Sequence, residues 1–247
     1  MSHKGPARVA YATGMIGLAM VGLVFGDVAQ VRQSVPDWVP GRQALTYAVA
    51  VLLLACGGGV LSRRTDVLAA RGLLCCWTLL VIAVELPVVV AHPLNEIAWQ
   101  GLAHLTLLLA AAWMLATADE RAVRVARRLV GLALIPIGLA HFVYLELTAP
   151  LVPAWLPGHT FWAYFTGAAQ LAAACGLLLG IRARLAAALE AVLLAMFTFL
   201  VWPPLLLAAP AKAGLWSEFA ISWAMCAATW VVAGSLATCR LRSPMQA

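Results

Sequence analysis

The chain has 247 residues, 64% of them hydrophobic and 11% charged, with a net charge of +6. A soluble domain is about 45–50% apolar and about 25% charged, so this composition excludes an ordinary soluble protein and points to a bilayer. The basic balance has no solvent-exposed domain to carry a basic patch, which argues against nucleic acid as a partner and suits attraction to anionic lipid headgroups. A membrane-crossing helix needs about 20 predominantly apolar residues. In chain order the apolar blocks are 10–28, 43–62, 68–91, 97–117, 129–147, 160–181, 184–208 and 214–238, which predicts eight spans. Lys4 and Arg8 give the first block the look of a signal peptide, but Asp27 stands where cleavage needs a small residue, so the block is read as helix one. With the N-terminus in the cytoplasm, only Arg32, Arg42 and Lys212 of the 16 basic residues fall on the outer side. Basic residues near span ends collect on the cytoplasmic face, so both termini are expected there, in the cell (inner) membrane. The six cysteines, Cys56, Cys75, Cys76, Cys175, Cys226 and Cys239, then lie within the membrane or toward the cytoplasm. Disulfides rarely persist there, and these cysteines read as small packing residues.

The string VPDWVPG at 35–41 returns as VPAWLPG at 152–158, 117 residues later. The same offset pairs Gly14 with Gly131, Tyr47 with Tyr164, Gly59 with Gly176, Pro87 with Pro204, Pro93 with Pro210, Trp99 with Trp216 and Trp113 with Trp230. Matches of Trp, Pro, Gly and Tyr in one register predict a tandem duplication. Each unit holds an even number of spans, so the two enter the membrane alike, as parallel repeats about a pseudo-two-fold axis along the normal. The expected fold is all-α: a polytopic membrane protein whose eight transmembrane helices form two parallel tandem four-helix units. The first unit is 1–117, a charged cytoplasmic linker, ADERAVRVARR, is 118–128, and the second unit is 129–247. The repeated Pro-x-Trp-x-Pro-Gly string is read either as an interfacial anchor that sets how the second helix of each unit enters the bilayer, or as an outer lid over a ligand.

Ionisable groups inside a bilayer are costly and mark candidate functional positions. Glu85, His104 and His141 each fall roughly two turns in from the outer surface on these spans, at about 1.5 Å per residue, and so are expected in one layer. Glu85 and His104 sit on neighbouring antiparallel helices, where a pair could carry a proton or serve only as a polar contact between helices. At the offset of 117 these residues meet Trp202, Ile221 and Val24, so the polar groups occur once on a scaffold that occurs twice. Tyr164 and Gln170 in helix six are candidates for orienting a ligand. Glu190, close in sequence to Arg182 and Arg184, reads as snorkelling or ion-paired. Pro87 and Pro204 are expected to kink the third helix of each unit. The chain has no phosphate-binding glycine loop, no zinc-type cluster and no Gly-x-Ser-x-Gly elbow, and no metal site is expected.

Residues 129–200 resemble the DoxX-like family of small four-helix membrane proteins. The likeness is carried by His141 and Phe142 near the end of helix five, the Pro153–Pro157 turn, Tyr164 to Gly167 opening helix six, and Gly176 to Gly180 with Arg182 closing it. The first unit reads Val24 and Phe25 where the second has His141 and Phe142. The family is named for a subunit of a thiosulfate:quinone oxidoreductase, so the resemblance implies a redox-associated membrane subunit. The functional expectation is a quinone or similar apolar ligand held in the outer half of the second unit. His141, Glu85 and His104 would handle protons, with Tyr164 and Gln170 orienting the ligand. Two alternatives come from other classes: a non-enzymatic assembly factor or scaffold whose grooves bind other membrane proteins, and a small-solute transporter. Membrane lipids are partners under every reading.

Overall fold

In the computed structural model, residues 5–26, 41–117 and 119–242 are described, and every regular element among them is helical. The helices are α1 (Pro6–Phe25), α2 (Arg42–Leu61), α3 (Asp66–Ala91), α4 (Glu96–Thr117), α5 (Glu120–Val143), α6 (His159–Leu179), α7 (Ala183–Ala208) and α8 (Ala213–Arg242). Seven are long and apolar enough to cross a membrane, and up to eight if α5 is counted with the short helical segment that follows it. The chain is therefore all-α with several helices compatible with membrane insertion.

Every predicted block has its helix, and the largest difference in boundaries falls at α5. The charged stretch 118–128, expected as a linker, is from Glu120 onward the opening of α5 itself. Ala, Arg and Glu are strong helix formers, and the Asp119 side chain caps the helix by accepting the Ala122 N–H at 2.6 Å. Glu120 and Arg124 add an exposed i,i+4 pair at 3.5 Å. Ala122, Val123, Ala126 and Val130 give these turns a buried apolar face. Asp119→Ala is expected to cost about 0.5–2 kcal/mol, read as a lower melting temperature in detergent. The other end also moves: α5 stops at Val143 and the chain turns by 87° into Leu145–Leu151, instead of running on to 147.

Antiparallel neighbours are tied at the arginine-bearing end. Arg8 of α1 donates to the Val60 carbonyl at the end of α2, at 3.0 and 2.8 Å, and pairs with Asp66 at the start of α3 at 2.7 Å. Arg127 of α5 likewise donates to the Leu177 carbonyl near the end of α6. Helices α1, α4, α5 and α8 form the centre: α1 packs on α2 and α8, α5 on α6 and α4, and α4 on α8. Gly14 lets α1 approach α8 closely, since a methyl there would stand 2.9 Å from the Ala224 Cα. Deep in this centre Tyr11 donates to the Leu108 carbonyl at 2.8 Å and accepts from the Trp77 indole at 3.1 Å. Burying these polar ends is tolerable because each has its partner.

Each proline follows a local change in helix type. Helices α3 and α7 run through as single 26-residue elements, each widened into a π turn just before its proline, at Val81–Glu85 and Phe197–Val201. Leu86 N–H reaches back five residues to Val81 O, the π spacing, ahead of Pro87, which has no N–H to donate. The first Pro-x-Trp-x-Pro string, 36–40, lies outside the described residues. In the second, Leu156 N–H closes a turn on Pro153 O at 2.9 Å. Gly41 and Gly158, the last residues of the two strings, precede α2 and α6 with φ of 84° and 75°, a region where only glycine avoids strain.

Candidate functional site

The predicted layer separates into two places. Glu85 closes the π turn of α3, is fully buried, and rests its carboxylate directly on Gly101 of α4. His104 is one turn further along α4. Among the described residues no hydrogen bond, ion pair or ring contact joins His104 to Glu85 or to His141. The depth expected for His141 also changes. Because α5 ends at Val143, His141 stands in its last turn, two residues from the end and not two turns in.

His141 belongs to the crossing of α5 with α6. Gly167 on α6 takes the His141 Cβ, the Phe142 ring and the Gly138 carbonyl within contact distance of where its own missing methyl would be. Two glycines facing one another bring the helices together as small residues do in membrane bundles. The imidazole Nδ1 lies 3.1 Å from the Ile137 carbonyl, one turn earlier. A carbonyl only accepts, so Nδ1 carries the proton and Nε2 is left as an acceptor. The ring is stacked on Phe197, at 5.9 Å between centroids, where the π turn of α7 begins.

Tyr164 and Gln170 lie one turn before and one turn after Gly167 on α6. Tyr164 is half exposed and tilted against Phe142 at 5.5 Å. It joins a run of aromatic contacts, Phe161 with Trp162 and both with Phe165, on the outside of α6. Gln170 points the other way. It is fully buried, and its Nε2 donates to Glu190 Oε1 of α7 at 3.4 Å.

Glu190 was the residue that sequence reasoning misjudged. It is 1% exposed and held by Gln170; it neither snorkels nor pairs with Arg182 or Arg184. The signal was present: Glu190 lies on the stripe with Ala187, Ala191 and Leu194, the buried face of α7. Trp202 and Ser222 make a further polar contact across α7 and α8, at 2.8 Å.

A second feature lies between the halves. A groove of about 680 Å³ runs between α4 and α5 from Pro93 and Glu96 to Thr106 and Leu129, lined almost wholly by aliphatic side chains. Neither His104 nor His141 lines it.

Compared with known proteins, residues 130–233 match a family described as a domain of unknown function (DUF8561). No curated protein and no solved structure matches the chain.

Proposed function

We propose that the chain is an integral membrane protein of two parallel four-helix units, and that its second unit holds a quinone-type ligand, in its hydroxyl-bearing reduced form, beside His141 as part of a redox-associated membrane assembly. The duplication is supported by contacts that recur at the offset of 117. Val60 O and Leu177 O, 117 apart, each accept from an arginine of the first helix of their half, although those arginines, Arg8 and Arg127, are 119 apart. Trp99 and Trp216 donate to Pro93 O and Pro210 O, each at 2.9 Å. Ala69 and Ala186 face Gly59 and Gly176. The packing of α4 on α5 is answered by that of α8 on α1, and α4 on α8 lies at the centre, as a pseudo-two-fold axis requires. Helix α1 begins and α8 ends on the arginine-bearing side, and the tendency of basic residues to collect at the cytoplasmic face supports a cytoplasmic location for that side.

One observation carries the ligand reading: a histidine whose Nδ1–H is committed to its own helix, leaving Nε2 as an acceptor next to the Phe197 ring. A phenolic hydroxyl can donate to such a nitrogen while its ring lies against the aromatic face; a bare carbonyl cannot. Tyr164 and the outer aromatic run give the same end of α6 the amphipathic rings suited to the headgroup level. Position in the last turn of α5 sets the imidazole near that level, where a polar ring with an apolar tail partitions. The resemblance of residues 129–200 to DoxX-like proteins points the same way. Glu85 and His104, separated from this site, are assigned to helix packing in the first unit.

Wild-type protein in mild detergent is expected to retain an added quinol, with His141→Ala weakening binding about tenfold, the equivalent of one hydrogen bond of about 1.4 kcal/mol. Retention and affinity are read by equilibrium dialysis with mass spectrometry of the bound fraction. Equal binding by the two proteins sinks the reading. A co-purifying membrane protein in place of any quinol favours the scaffold alternative.

A further inference from the structure

We propose that the groove between α4 and α5 is a binding site for one phospholipid with an ammonium headgroup, its acyl chain along the groove and its ammonium on Glu96. The groove starts at Glu96 and reaches Thr106 ten residues on, about 15 Å along a helix. That is the hydrocarbon depth of one leaflet, half of about 30 Å. Its volume of about 680 Å³ is in the usual range for a bound small molecule, about 300–1,000 Å³. Leu102, Leu129, Leu132, Ile135 and Leu139 give it aliphatic walls.

The polar groups along it decide the headgroup. Thr106 is committed to the Leu102 carbonyl at 2.7 Å, and the Trp99 indole to the Pro93 carbonyl at 2.9 Å, which also fixes the turn at the mouth. Glu96 is the one ionisable side chain of the lining. Its Oε2 accepts from Gln100 at 3.1 Å, its Oε1 is buried with no hydrogen-bond partner, and among the described residues no cation pairs with it. An acid at the mouth of an apolar channel selects a cationic head and repels an anionic one.

The opposite interface shows that the groove is a property of this side chain set. At the offset of 117 Glu96 becomes Ala213 and Thr106 becomes Trp223. Trp223 of α8 reaches across to α1, donating to Thr13 Oγ1 at 3.0 Å and meeting the Phe199 ring edge-on. The position that is open beside Thr106 is there filled by an indole, and the carboxylate is gone.

The test uses the full chain, delipidated and then offered equal amounts of phosphatidylethanolamine and phosphatidylglycerol with matched acyl chains, with bound lipid read by native mass spectrometry. Wild type is expected to prefer the ethanolamine lipid by about fivefold, the scale of one partly exposed ion pair. Glu96→Gln should abolish the preference while still retaining lipid, and Thr106→Trp should lose retained lipid of both kinds. Far-ultraviolet circular dichroism confirms that each variant keeps its helix content. Equal retention of the two lipids by wild type, an unchanged preference in Glu96→Gln, or a quinone as the retained molecule overturns the proposal.

Discussion

Gln170→Leu is expected to destabilise the protein by about 1–3 kcal/mol, whereas the double change Gln170→Leu with Glu190→Leu should return stability to that of wild type or above it. The Gln170 amide is the donor to Glu190 Oε1, and both side chains are buried among the helices of the second half. Removing the amide leaves a carboxyl group in apolar surroundings with no donor, which costs its full desolvation. Removing both partners leaves no polar group to satisfy. On the proposed duplication the scaffold should accommodate leucine at these positions, since 117 residues earlier stand Leu53 and Leu73, each 0% exposed. A double-mutant cycle of thermal unfolding in detergent measures the coupling. A single variant as stable as wild type, or a double variant less stable than Gln170→Leu, contradicts the account.

That pair also shows what sequence spacing resolves in a membrane bundle. Block length located each helix, since a 20-residue apolar run has few other uses. The end of α5 was misplaced because apolar residues continue through Leu145 and Leu147 while the backbone turns at Tyr144, and composition carries no direction. At 118–128 helix propensity and the Asp119 cap outweigh polarity, so the charged stretch is helical from Glu120 onward. For Glu190, proximity in sequence to two arginines suggested an ion pair, but position on the Ala187–Leu194 stripe governs which way the side chain faces. Glu85 stands out as an ionisable group in an apolar span, but the way it faces was hidden for another reason. A π turn inserts an extra residue and rotates everything beyond it by about 100°, so the face on which Glu85 lies does not follow from the pattern of 66–80. His141 was found by its rarity in an apolar helix, but its neighbours Phe197 and Gly167 come from other helices and no spacing along one chain segment reveals them.

The crossing of α5 and α6 yields the second large effect. Gly167→Ala is expected to destabilise the protein by about 1–3 kcal/mol, the usual cost of overpacking, and to disturb the His141 site at the same time. A methyl on Gly167 would stand 2.7 Å from the His141 Cβ and the Phe142 Cε2 and 2.8 Å from the Gly138 carbonyl oxygen. Two of those atoms are held by the α5 backbone and cannot swing aside, so the helices must part, carrying the imidazole away from Phe197. Gly58→Ala in α2 is the matched control. Nothing lies within 4 Å of that methyl, and replacing a glycine in a helix interior with alanine should stabilise by about 0.5–1 kcal/mol. The two substitutions add the same atom to the same residue type in a helix, so opposite signs isolate the crossing from helix propensity. If Gly167→Ala also melts higher than wild type, close approach of α5 to α6 is not required for the fold, and His141 must be positioned by Phe197 and the Ile137 carbonyl alone. If it melts lower and loses quinol binding together, the glycine contact is what sets the imidazole against the ring of α7.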